Sequence, residues 1–582
     1  MPGPASHYLV GKKLPQELNN QLGKEANSVI EAIHEFPQFL AFGTTGPDFL
    51  FFNTKDMPPA IHFLTNLYKD VAQFITGMKK KIRDAIPDEL IELKEQLDEA
   101  IEGTVEHSST LSELEALISD VKSTISALKD TVIEKLTEHI TDSYNVFEML
   151  EHPIQDATPQ SKWWWFDTLH YRRTGDFAHE LLNQTKNNPI SPEHAYAIGY
   201  LTHVAADVVG HPYVNMIAGG PYRLHGQRHK LVENFQDVWL FQDSGLGELV
   251  YSGLHEQFEL GDNFPSSLRS LISHTIKKVY GSDFGPEVTG DDLDTAYWYW
   301  YRWFRNSTER GTLSPPQPYS ITGEIQEVWE TFLENVEGAG DLIPDAYNAA
   351  GGGFLGILAA IAAAILAPIL LALALIDYLL GMITTITVSA VRFLLSVCYE
   401  CLYNSFMKYR YGVALNGLAF PIIGHLNKDI VQHLTDPRLP DILGNYLSTK
   451  DFPKLKFNRF GSESHLVFPQ SGIERKVTTP APKLYQVLRP NVYIHRDIHF
   501  DLNILGLIRG LNEDTLDELH VKMRSEQLGN AARLTTELYR LFFAGKKFPN
   551  FNLDADRGMG YPSWKVEGDR PIIGTSVDIK II

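Results

Sequence analysis

The sequence predicts a mainly α-helical protein in which only the C-terminal region mixes helix with strand. Three observations predict it. Leu111, Leu114, Ile118, Val121, Ile125, Leu128 and Val132 recur at alternating spacings of three and four, the stripe of a long amphipathic helix. His203, Asp207 and His211 stand four residues apart in a stretch of helical spacing. The 23 residues from Phe354 to Ile376 carry no charge and are rich in Ala and Leu.

A chain of 582 residues exceeds what one hydrophobic core supports, so two or three domains are expected. The pattern places a first domain over about 1–340, an apolar helical segment over 341–402 and a mixed α/β C-terminal region over 403–582. Residues 1–78 read as short helices and loops, punctuated by Gly43-Thr-Thr-Gly-Pro-Asp48. A Glu/Lys-rich stretch over 79–147 follows. Leu90, Leu93 and Leu97 mark one helix and the Leu111 stripe a second, with Gly103 and Ser108-Ser109 as the break. This is a helical-hairpin insertion suited to a partner or to a second copy. From Lys162 to Asn306 the chain is rich in aromatics and histidine. Beyond Ser314-Pro-Pro-Gln-Pro come a helix near Ile325 to Val336 and the apolar stretch, which is long enough to cross a bilayer and equally fits a pair of buried core helices. After Tyr403, Glu513 to Phe543 has helical pattern. Val492 to Leu502 alternates as a strand does, which places His495, Asp497, His499 and Asp501 on one face.

The 51 Lys+Arg against 72 Asp+Glu give a net charge of −21, which repels polyphosphates and argues against duplex nucleic acid as a partner. Two cysteines exclude a disulfide framework. Cys398 and Cys401 make a C-x-x-C in an apolar run without a second pair, which argues against a zinc or redox role. The N-terminal residues lack a basic stretch followed by an apolar run, so a Sec signal is not expected. Membrane association after a signal-less route of export is the expectation, with a cytoplasmic location as the alternative.

The chemistry concentrates in His203-Val-Ala-Ala-Asp207-Val-Val-Gly-His211. Residues four apart share a helix face, so a carboxylate stands between two imidazoles over two turns. His229 and Glu233 repeat the spacing shortly after. Nitrogen and oxygen donors in this register suit zinc. Two or three ions need further donors, and His7, Asp48 and His170 are candidates from upstream.

The order His7, Pro47-Asp48, His170 before a helix, His203-x-x-x-Asp207-x-x-x-His211 and His229-x-x-x-Glu233-Asn234 resembles the zinc-dependent phospholipase C family, over about residues 5–310. The most specific parts are Ala195 to His203 and His229 to Asp237. The resemblance implies an all-helical catalytic domain with two or three Zn2+ ions. It assigns Asp48, His170, His203 and Asp207 to one zinc, His211, His229 and Glu233 to a second, and His7 with a bridging Asp207 to a third. Two points stay open. The N-terminal tryptophan that completes the third site in the secreted phospholipases has no counterpart here, and His62 competes with His170 as the histidine after Pro47-Asp48.

The implied activity is hydrolysis of a phospholipid phosphodiester to diacylglycerol and a phosphorylated headgroup. Asp48 is the candidate for positioning or deprotonating the attacking water. Trp163-Trp164-Trp165 and Tyr297 to Trp303 fit either core packing or a choline-binding or lipid-facing cluster. His225 and Arg228 are placed to contact phosphate or to support the second ladder. A zinc nuclease acting on single strands and a non-catalytic membrane or assembly protein with structural zinc are the alternative functions.

Overall fold

Helix α8, Pro192–Ala218, is buried on every side from His194 to His211, and the fold is built around it. Ala195, Tyr196, Ile198, Tyr200, Leu201, Val204, Ala205, Val208 and Val209 are all buried along it. A helix of that composition is stable only in the middle of other helices. The computed structural model describes residues 3–52, 70–103, 107–141, 165–218, 230–309, 316–335, 353–415, 419–420 and 527–554, apart from scattered positions inside these ranges.

The order of the long elements is α1 (Pro4–Leu22), α2 (Asn27–Glu35), α3 (Pro37–Thr44), α4 (Glu89–Glu102), α5 (His107–Thr141), α6 (Trp165–Tyr171), α7 (Thr174–Thr185) and α8, then α9 (Ser266–Tyr280), α10 (Gly290–Thr308), α11 (Glu324–Asn335), α12 (Gly353–Met382), α13 (Val388–Leu415) and α14 (Gln527–Phe543). The protein is mainly α, and no strand occurs among the described residues. The strand-like stretch Val492 to Leu502 lies outside them.

Two layers result. In the first, α1, α2, α3, α7 and α14 pack on α8, while α9 and α10 close the other side. The approach of α3 to α8 is backbone on backbone. A Cβ on Gly43 would lie 2.3 Å from the Tyr196 carbonyl oxygen, and one on Gly199 would lie 2.3 Å from that of Leu40. Only hydrogen fits at either position. Phe42, which follows from this approach, is buried against Tyr297 and Trp300 of α10. Those two aromatics are core residues, whereas Trp298 stays 46% exposed with the Arg302 guanidinium stacked 4.4 Å over its ring. Trp165 is buried, and Trp163 and Trp164 lie outside the described residues.

In the second layer the hairpin α4/α5 packs on the apolar pair α12/α13. Leu114, Ile118, Val121, Ile125, Leu128 and Val132 are buried there, so the stripe read as a partner surface faces the chain's own apolar segment. Lys122 and Asp377 pair at 2.6 Å and Arg392 and Glu95 at 2.7 Å across this contact. Helix α5 begins at His107, so Ser108 and Ser109 belong to its first turn rather than to a break, a place where serine is well tolerated. Cys398 and Cys401 are buried on α13, with the Cys398 sulfur 3.9 Å from the Ala372 carbonyl.

His194 joins three helices at the start of α8. Its Nδ1 meets the Thr185 hydroxyl of α7 at 2.9 Å, and its ring lies against Tyr539 of α14. Burial pushes its pKa down to about 4. The folded chain therefore prefers the neutral ring, and this contribution is complete above pH 6.5 and lost as pH falls toward 4. A shift of that size corresponds to roughly 3 kcal/mol. We expect His194→Asn to unfold along a shallower stability curve between pH 6.5 and 4, measured by urea denaturation; parallel curves for the two proteins would contradict this.

Candidate metal centre

The turn after α3 aims a carboxylate at α8. Gly46 adopts φ +54°, and a Cβ there would sit 2.3 Å from the His203 ring. Glycine permits both the left-handed turn and the close passage over the imidazole. The chain then enters a short 3₁₀ turn, Asp48–Phe52, whose first side chain faces the His203 ladder. Gly43-Thr-Thr-Gly-Pro-Asp48 is thus a device for placing Asp48.

Four elements deliver the other groups. His7 stands in the first turn of α1, His170 near the end of α6, and His203, Asp207 and His211 one turn apart on α8. His7, His170, His203 and Asp207 are all buried, as is Asp48. The Nε2 of His203 lies 3.1 Å from Asp207 Oδ2 and 3.9 Å from Asp48 Oδ1. That of His170 lies 3.2 Å from Asp48 Oδ1 and 3.7 Å from Asp207 Oδ2, and that of His7 3.3 Å from Asp207 Oδ1. His7 and His203 stack with ring centroids 4.4 Å apart. One turn along α8, His211 Nε2 faces Glu233 Oε1 at 3.6 Å.

The ring nitrogens on the far side fix how the imidazoles are protonated. His203 Nδ1 meets the Thr44 carbonyl at 3.1 Å, His170 Nδ1 the Phe166 carbonyl, and His211 Nδ1 the Leu553 carbonyl. A carbonyl only accepts, so each Nδ1 carries a proton and each Nε2 is turned toward the carboxylates, with a lone pair there when the ring is neutral. The Nε2 of His7 and of His203, Oδ1 of Asp48 and both oxygens of Asp207 are buried and make no hydrogen bond among the described residues. Such atoms call for a cation between them. Two sets satisfy the distances for one ion: His7, Asp48 and His203, and His170, His203 and Asp207.

The electrostatics carry the same tension. Burial drives the His203 pKa down, but the Asp207 and Asp48 charges outweigh it and leave it raised. His7 is lowered by burial and by His203. Against its own burial, Asp207 is held well below the carboxylate range by His203 and His7.

Of the residues that the sequence singles out, His7, Asp48, His170, His203 and Asp207 converge, and His211 and Glu233 form the neighbouring pair. His229, His62, His225 and Arg228 lie outside the described residues. Two contributors carry no role in the sequence reading. Lys230 Nζ sits 2.9 Å from Glu233 Oε2; burial opposes its charge, but Glu233 and Asp48 outweigh that and raise its pKa. Asp237, one turn after Glu233, accepts from Ala5 N at 2.8 Å, Ser6 N at 2.9 Å and the Ser6 hydroxyl at 2.6 Å. Gly3 gives α1 no capping side chain, and this carboxylate satisfies the first-turn amides from across the fold. It anchors the turn that bears His7. Burial pushes the Asp237 pKa up to about 7 against the pull of Ser6 and Ala5. The four-residue step from Glu233 was the available signal.

Asp237→Ala removes the acceptor for three donors. It should destabilise the protein by about 2 kcal/mol, read from the urea midpoint; an unchanged midpoint would show that the anchor is dispensable.

Residues 139–289 match the model of a family described as zinc dependent phospholipase C. The matched stretch contains His170, His203, Asp207, His211, His229 and Glu233, and His7 and Asp48 precede it. Comparisons with curated proteins and with solved structures return no match. Over residues 139–289 the chain is similar to the zinc-dependent phospholipase C family, and a helical architecture with a cluster of buried donors suited to a metal accompanies that match.

Proposed function

We propose that the protein hydrolyses the phosphodiester of glycerophospholipids at a zinc centre, releasing diacylglycerol and a phosphorylated headgroup. The observation that carries this reading is the convergence of three buried imidazoles on two buried carboxylates, with Nε2–oxygen distances from 3.1 to 3.9 Å. Asp48, His170, His203 and Asp207 would hold one zinc, His211, His229 and Glu233 a second, and His7 with Asp207 a third. The mixed nitrogen and oxygen donor set fits zinc. Zinc, when bound, supplies positive charge to the phosphate oxygens and makes a water acidic enough to attack near neutral pH.

The chain's own residues do the rest. The carbonyls of Thr44, Phe166 and Leu553 accept from the Nδ1 of His203, His170 and His211 and so turn each Nε2 toward the carboxylates. Asp48 lies at the edge of the cluster nearest solvent, whereas Asp207 is fully enclosed. Asp48 is therefore the carboxylate that accepts the proton of the attacking water. The Lys230 ammonium, beside Glu233, adds positive charge next to the His211–Glu233 pair, which favours an anionic substrate there.

A lipid surface as the site of action is supported by α12. Of its apolar window Ile365–Met382, 33% is buried inside the protein, which leaves apolar surface on a helix long enough to cross a bilayer. Residence at a membrane follows from the same reading.

Asp48→Asn keeps an oxygen donor and removes the base. It should retain zinc and lower kcat on phosphatidylcholine vesicles by roughly 10²- to 10⁴-fold, with chelator abolishing activity and added zinc restoring it. Chelator-sensitive cleavage of single-stranded DNA, with no diacylglycerol formed, would replace the lipid reading by a nuclease; wild-type rates in Asp48→Asn would remove Asp48 from the chemistry.

A further inference from the structure

Residues 527–554 lie far beyond the stretch that matches the family, yet they reach the metal centre. Helix α14 packs on α1 and α8, the two helices that carry His7 and the ladder His203, Asp207 and His211. Past α14 the chain runs as a strap along α6 and α7. The Asn550 side chain accepts from Asp176 N at 2.9 Å and donates to Asp176 Oδ2 at 3.0 Å. The Thr174 hydroxyl donates to the Phe551 carbonyl at 2.6 Å, Leu553 N donates to the His170 carbonyl at 2.9 Å, and the Tyr171 hydroxyl donates to Asp554 at 2.7 Å. Phe551 and Leu553 are fully buried. The strap ends with the Leu553 carbonyl on His211 Nδ1.

This last contact bears on metal binding. A histidine binds a metal through a nitrogen without a proton, and the hydrogen bond at the other nitrogen decides which one that is. Without the Leu553 carbonyl, the proton of His211 is free to move to Nε2 and the ring to turn away from Glu233. The same residue's N–H holds the end of α6 at His170. We propose that residues 548–554 are a positioning element of the metal centre, and that His211 holds its zinc only while this strap is docked. Resting on the zinc reading above, the inference adds that the second zinc site is completed from outside the family-matching region. A chain that carries that region with the strap undocked keeps the ladder and loses the site.

Gly175 supplies the test. A Cβ there would lie 2.1 Å from the Pro549 carbonyl oxygen and 2.7 Å from its carbon, backbone atoms that move only if the strap lifts. Alanine itself favours the helix that Gly175 occupies, so a loss on substitution is attributable to the strap. In the full chain, Gly175→Ala should keep wild-type helix content by circular dichroism and bind one zinc per chain 10- to 100-fold more weakly in competition with a chromophoric chelator. Thr174→Val, which keeps the side-chain shape and removes the Phe551 anchor, should shift the affinity in the same direction by less. Leu534→Ala, a buried truncation in α14, should lower the Tm and leave zinc affinity unchanged. Unchanged affinity in both Gly175→Ala and Thr174→Val, or an equal loss in Leu534→Ala, overturns the proposal while zinc binding by the wild type stands. A wild type that binds no zinc overturns the zinc reading itself.

Discussion

Two carboxylates, Asp48 and Asp207, are held inside the protein facing buried imidazole nitrogens, and the surrounding structure depends on how their charge is compensated. Burying an uncompensated carboxylate costs several kcal/mol, and a hydrogen-bond donor is the usual remedy. Here the donors point elsewhere, because the protons of His170, His203 and His211 are engaged by main-chain carbonyls on the far side of each ring. A multivalent cation resolves every one of these contacts at once. Burial and the neighbouring His203 drive His7 down, while the Asp207 and Asp48 charges draw His203 upward against its own burial.

The arrangement is expensive in chain entropy, since its parts come from residue 7 to residue 553. Apolar packing supplies the compensation. Helix α8 threads the middle of the first layer, and the hydrogen-only contacts at Gly43 and Gly199 bring α3 near enough for the Gly46 turn to deliver Asp48. Asp237 ties down the start of α1, and the strap after α14 ties down α6 and α7. Rigid placement of this kind is what an electrostatic site requires, because the donors are then preorganised before any substrate arrives. The second layer is segregated from this chemistry: α4 and α5 cover α12 and α13, and charge pairs such as Lys122–Asp377 sit at the rim of the contact.

Much of the site is legible in the sequence, for a physical reason. Ligands four apart on one helix leave a periodic trace, so His203, Asp207 and His211 announce themselves, and Pro47-Asp48 after two glycines marks a forced turn. The stripe of α5 also reads correctly as one face of a long helix. What covers that face does not, because pairing with α12 is a tertiary choice that no local pattern encodes. The Leu553 carbonyl is invisible for a stronger reason: main-chain acceptors carry no residue identity, and the contact spans 342 positions. Asp237 falls between these cases, since its register is periodic with Glu233 while its partners, Ala5 and Ser6, are remote.

The central claim is that the buried imidazoles and carboxylates share zinc. Anomalous diffraction at the zinc absorption edge, from crystals grown without added metal, tests it most directly. The account predicts at least two anomalous peaks, one between His203 Nε2 and Asp207 Oδ2 and one between His211 Nε2 and Glu233 Oε1. A folded protein with no anomalous density at either place, and with ordered protons bridging the same atoms, would contradict it.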